Sequence, residues 1–114
     1  MKIRESIYQK VAVLSLRGKL MGPPETTRLF DDVQELIADG VTRVVIDLSH
    51  VNWINSMGVG SIMKSFSELK KNDGDLRLVG LTQKVHSVFM MTQLTRVLTI
   101  HNTREEAIDA LNSI

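Results

Sequence analysis

The run Arg43-Val44-Val45-Ile46-Asp47-Leu48 constrains the fold more than any other stretch of the chain. It stays apolar without alternation until Asp47. A strand with one wet face alternates, whereas one covered on both faces does not, as in a parallel sheet between helices. Parallel neighbours require crossover segments, and helical patterns flank this run. Leu29, Val33, Leu36 and Ile37 form an apolar stripe upstream, and Val59, Ile62, Met63, Phe66 and Leu69 form another downstream.

The remaining segments extend the same scheme. Ile3–Ile7 and Val11–Leu16 alternate, and Tyr8-Gln9-Lys10 is short enough to join them as a hairpin. Gly18–Pro23 reads as a loop, after which a helix starts at Pro24 or Glu25 and stops at Gly40. The second helix runs to about Asn72 and ends at Asp73-Gly74. Asp75–Val79 reads as a strand, and Thr82 as the cap of a helix carrying Val85, Val88 and Phe89. Val97–Ile100 is a short last strand. Thr103-Arg104-Glu105-Glu106 has capping-box form and opens a final helix through Ala107, Ala110 and Leu111. The order ββαβαβαβα predicts an α/β fold with a mixed, mostly parallel sheet of four to five strands. It has an N-terminal antiparallel hairpin and about four helices, and residues 1–114 are expected to form a single domain.

Composition excludes several classes of function. The formal charge is +1, with acids and bases interspersed, so no strong global field draws in nucleic acid or an anionic membrane. Arg43, Lys64, Lys70 and Lys71 are scattered rather than grouped along a groove. No cysteine is present, which removes disulfides, thiolate chemistry and sulfur-bound metal. His50, His86 and His101 lack metal-ligand spacing, so no metal or cofactor is expected. No segment reaches the ~18–20 apolar residues of a membrane span, and Met1–Ser6 lacks the apolar core of a signal peptide, so a soluble cytoplasmic protein is expected.

The chemistry concentrates in Asn55-Ser56-Met57-Gly58-Val59-Gly60-Ser61-Ile62. Ser56 lies at or beside the N-cap of the second long helix, at the carboxyl end of a strand. Ligand-binding loops of parallel sheets lie at such ends. Free backbone N–H groups and the positive end of the helix dipole favour an anion there. Ser56 is therefore a candidate switch that accepts a phosphate without local strain. Gly58 and Gly60 either make room for a neighbouring strand or let a partner's backbone approach, and spacing alone leaves both readings open. Met57, Ser61, Lys64 and Glu68 fall opposite the apolar stripe, on a face expected to be solvated. Met57 stands out there as an adaptable contact residue. Trp53 reads as core or as a lid over the sheet end, Met90-Met91 as helix packing, and Asp47 as a partner for a loop amide.

Val45-Ile46-Asp47-Leu48-Ser49, Val51 and Trp53-Ile54-Asn55-Ser56-Met57-Gly58-Val59-Gly60 together resemble the signature of STAS domains, the anti-sigma factor antagonists and their relatives. The similarity extends through Gly18-Lys19-Leu20 and Leu76-Arg77-Leu78-Val79-Gly80 to the last helix. The resemblance implies a non-enzymatic regulator of transcription. In its unphosphorylated form it would bind an anti-sigma factor that is also a serine kinase, and so release the sigma factor. It implies Ser56 as the phosphoacceptor, a serine phosphatase as a second partner, and Met57, Gly58 and Gly60 as contact surface. Asn55, Ser61, Lys64 and Met21 complete the expected partner-binding set. No direct nucleic-acid contact and no membrane insertion are implied. Two positions depart from the family pattern: Asn55 stands where an acidic residue is common, and so does the loop Leu20-Met21-Gly22-Pro23. Other members regulate transporters or sensor complexes, which is the alternative reading. A small hydrolase or nucleotide-binding enzyme is a further one, although Ser56 sits in N-S-M-G rather than in a G-x-S-x-G elbow.

Overall fold

The structure, a computed structural model, describes residues 2–114. Its elements are β1 (Lys2–Tyr8), β2 (Val11–Leu20), α1 (Glu25–Ala38), β3 (Arg43–Ile54), α2 (Ser56–Lys71), β4 (Asp75–Val79), α3 (Gln83–Met91), a 3-10 turn (Leu94–Arg96), β5 (Thr99–His101) and α4 (Arg104–Asn112). The strands form one sheet in chain order, β1-β2-β3-β4-β5. β1 pairs antiparallel with β2, and every later pairing is parallel. Gln9 and Lys10 close the hairpin with φ of 52° and 69°. Positive φ at both central residues is the turn geometry whose twist matches paired strands.

The unbroken apolar run is explained by its two covered faces. Val44, Ile46 and Leu48 join Leu14, Leu16, Leu76 and Leu78 in the larger core, under α1, α2 and α3. Val45 turns the other way, with Val11, Val13 and Val79, and meets Ala107 and Leu111 of α4. Asp47 faces α4 and is nearly buried. One of its carboxylate oxygens accepts the Ser49 N–H at 2.9 Å and the other accepts Arg104 Nε at 2.7 Å. Burial pushes the Asp47 carboxyl up, but the hydrogen bonds from Ser49 and Arg104 and the nearby guanidinium charge outweigh it and hold the group below its ordinary range. The expected loop-amide partner is thus present, and Arg104 adds a second tie from β3 to the start of α4.

Three of the predicted helix caps have the expected chemistry. Thr82 accepts from the Val85 N–H and Thr103 from the Glu106 N–H, while Gly40 follows α1 with φ of 82°. The structure corrects several boundaries. β2 continues to Leu20 and β3 to Ile54, through irregularities where the register between them shifts. The outward residues Ser49, His50, Asn52 and Trp53 look like loop in sequence because these shifts interrupt the alternation. The last strand begins at Thr99 rather than Val97, because Leu94–Arg96 form a tight turn. Met90 and Met91 are exposed and do not pack in the core.

Candidate functional site

α2 begins where β3 ends, over the carboxyl end of the sheet. Asn55 is the N-cap, in extended conformation, and its Oδ1 accepts the Gly58 N–H at 3.0 Å. Its Nδ2 donates to the Met21 carbonyl at 2.8 Å. One side chain therefore caps the helix and ties down the loop after β2. A carboxylate could perform the first task but not the second, because it has no N–H to give. This accounts physically for an amide at a position where the family often carries an acid.

Ser56 is the first residue of α2 and is exposed. Because Asn55 supplies the cap, the Ser56 hydroxyl is not needed for it. Met57 is 54% exposed and lies against the loop, where a Cβ added at Gly22 would sit 3.6 Å from its Sδ. Met21 and Trp53 are also exposed, and Lys84 Nζ stands 5.5 Å from the centre of the Trp53 ring. Trp53 is thus neither core nor a closed lid. It belongs to an apolar rim of Met21, Trp53 and Met57 around the Ser56 end of the sheet.

The two glycines differ. Gly58 is buried, and a Cβ there would run into the Leu20 carbonyl oxygen and come within 2.7 Å of Ile54 Cγ1. Its surroundings match the structural reading, room for the end of β2, rather than a contact surface. Gly60 is exposed, with nothing within 4 Å of its added Cβ. Ser61 also departs from expectation. It is 7% exposed, and its hydroxyl donates to the Gly58 carbonyl at 2.8 Å. The periodicity of α2 alone puts it on a solvated face, because that pattern cannot reveal that α1 packs alongside. The exposed expected residues, Met57, Gly60 and Lys64, line a shallow depression of about 380 Å³ between α1 and α2. Lys64 Nζ is held 4.1 Å from the centre of the Phe30 ring. Thr27, Phe30 and Asp31 of α1 form its other wall. Sequence reasoning missed them, since only tertiary packing puts those outward positions of α1 beside α2. Among the described residues, no group of acidic and histidine side chains could hold a metal ion, and no helix is long and apolar enough to cross a membrane.

A family model for the STAS domain matches residues 2–107. The chain belongs to the STAS family. An anti-sigma-B factor antagonist of Listeria monocytogenes is 31% identical over 61 residues, 54% of each chain. A Thermotoga maritima protein described as a candidate anti-sigma factor antagonist is 29% identical over 75 residues, 66% of each chain. The matched stretches thus span about half to two thirds of these relatives. Among solved structures, SpoIIAA in its unphosphorylated form superposes with a TM-score of 0.77 at 22% identity, covering 99% of this chain and 100% of that one. These relatives are described as anti-sigma factor antagonists, and the solved structure shares the STAS fold.

Proposed function

We propose that this STAS protein is an anti-sigma factor antagonist switched by phosphorylation of Ser56. The observation that carries the reading is Ser56 itself, an exposed hydroxyl at the start of α2, freed from capping by Asn55, at the end of the sheet where Met21, Trp53 and Met57 are exposed. SpoIIAA, which shares the fold, has been solved in phosphorylated and unphosphorylated forms. In the unphosphorylated state, the rim and the α1–α2 depression dock an anti-sigma factor of serine-kinase type, which frees the sigma factor. The module itself is regulatory rather than enzymatic, and a serine phosphatase resets it.

The energetics favour a switch of binding rather than of folding. A phosphate adds about −1.5 to −2 charges. At the N-terminus of α2 that charge is favoured locally by roughly 0.3–2 kcal/mol. Burying it uncompensated against a partner costs on the order of several kcal/mol. Each ~1.4 kcal/mol is tenfold in affinity, so the interface term dominates. The test is capture from native lysate with the wild-type protein as bait, with intact-mass analysis of Ser56. Recovery of a kinase-fold protein, and an 80 Da gain confined to Ser56 (the mass of one added phosphate, about −1.5 to −2 charges), are expected. Recovery of a transporter or sensor complex, with Ser56 unmodified, would instead support the other reading of the family.

A further inference from the structure

α4 has nine residues and is shorter than the sheet face it covers. It seals Val11, Val13, Val45 and Val79, but β2 and β3 extend beyond it. At the edge of that face a cavity of about 730 Å³ opens, with a strongly basic wall that also takes in Ile3 and Glu5 from the other face of β1 and Arg28 from α1. Register places Lys2 opposite Arg17 and Arg4 opposite Ser15, with His50 beside Arg17. Arg104 enters from the start of α4. Asp47, outside the cavity lining, is already engaged by Arg104. Glu5, which reaches the cavity rim, alternates to the other face of β1.

Two features separate this cluster from an ordinary solvated surface. Like charges directly opposite on neighbouring strands destabilise a sheet, and Lys2 and Arg17 form such a pair, about 5 Å apart at Cβ. Among the described residues no carboxylate lies within ion-pair distance of Lys2, Arg4 or Arg17. The Arg104 guanidinium is also pre-positioned: Asp47 accepts from its Nε at 2.7 Å, which fixes the group beside the cavity it lines. A whole chain of charge +1 has gathered five cations, Lys2, Arg4, Arg17, Arg28 and Arg104, around one cavity whose lining holds one carboxylate, Glu5. Guanidinium forks match phosphate oxygens bidentately, and several together select a multiply charged anion over chloride.

We propose that this cavity binds a multiply charged phosphate, with Arg4, Arg17 and Arg104 as its principal ligands and Lys2 adding charge. No lining residue belongs to α2, so the site is separate from Ser56 and does not depend on the switch proposed for it. The same chemistry is offered by a free oligophosphate or by a phospholipid headgroup.

The test uses the full chain at low and physiological salt, with sodium tripolyphosphate as the soluble probe and phosphatidylglycerol vesicles as the lipid probe. Calorimetry should give a saturable one-site isotherm with tripolyphosphate, weakened at least tenfold in Arg4→Gln/Arg17→Gln. It should be unchanged in Arg96→Gln, which removes an exposed cation elsewhere. Vesicle binding that depends on Arg4 and Arg17 would assign the site to headgroups, and its absence would assign it to soluble phosphates. Thermal unfolding guards against misfolded variants. Arg17→Gln should melt no lower than wild type in low salt, because it relieves the repulsion with Lys2. Tripolyphosphate should raise the wild-type melting temperature and leave that of the double variant in place. Non-saturating binding, or equal losses in Arg96→Gln and the double variant, would overturn the proposal.

Discussion

At the residue scale, two glycines two residues apart in one helical turn have opposite roles. Gly58→Ala forces a methyl against the Leu20 carbonyl and Ile54 and should destabilise by about 1–3 kcal/mol, as overpacking does. Gly60→Ala meets open space and should stabilise by roughly 0.5–1 kcal/mol. Chemical denaturation of both variants checks this, and equal signs would contradict it. Asn55 has two functions, and substitution separates them. Asn55→Ala loses the cap, about 0.5–2 kcal/mol, and the bond to Met21, a further ~0.5–1.5 kcal/mol. Asn55→Asp keeps an acceptor for the Gly58 N–H and gains from the helix dipole, but sets a carboxylate against the Met21 carbonyl. Its stability should fall between wild type and Asn55→Ala, with the Met21 loop loosened. Amide exchange in residues 20–24 would report that loosening.

At the element scale, Asp47 links β3 to α4 through Arg104. Its folded carboxyl is held below the ordinary value of 3.8, so its contribution is present above that range and is lost as pH falls through the folded value. Asp47→Asn should lower stability at neutral pH by about 1.5–3 kcal/mol, the scale of hydrogen bonds to a charged group. The gap to wild type should close in strong acid. Denaturation at pH 7 and below pH 3 measures both, and a gap that widened on acidification would contradict the assignment. The elements were largely legible because their signals are local: Thr82 and Thr103 as caps, the stripe of Leu29, Val33 and Leu36, and the doubly apolar run at Val44–Ile46. What escaped depends on partners distant in sequence. Nothing in β3 announces that it continues past Leu48 alongside β2, since the register shifts break its alternation. Nothing in α2 announces that α1 buries Ser61. The serine, with Met21 and Met57 near it, was legible as a strand end meeting a helix start, whereas the exposure of Trp53 and the α1 wall of Thr27, Phe30 and Asp31 were not.

At the scale of the whole molecule, the two sheet faces are unequal. Three helices pack on one face, and α4 alone covers part of the other. The Ser56 end offers an apolar rim to a protein, and the uncovered face offers cations to an anion. The rim also contains Trp53, the single tryptophan, at 39% exposure. Docking over Ser56 should therefore shift its emission to the blue, and no shift at saturating partner would place the interface elsewhere. The most direct measurement is a pair of titrations of the captured anti-sigma factor with Ser56→Ala and Ser56→Asp, alongside the melting temperature of each variant. The account predicts tight binding by Ser56→Ala, at least tenfold weaker binding by Ser56→Asp, and an undiminished melting temperature in the aspartate variant. Equal affinities, or an aspartate variant that binds weakly because it has unfolded, would contradict it.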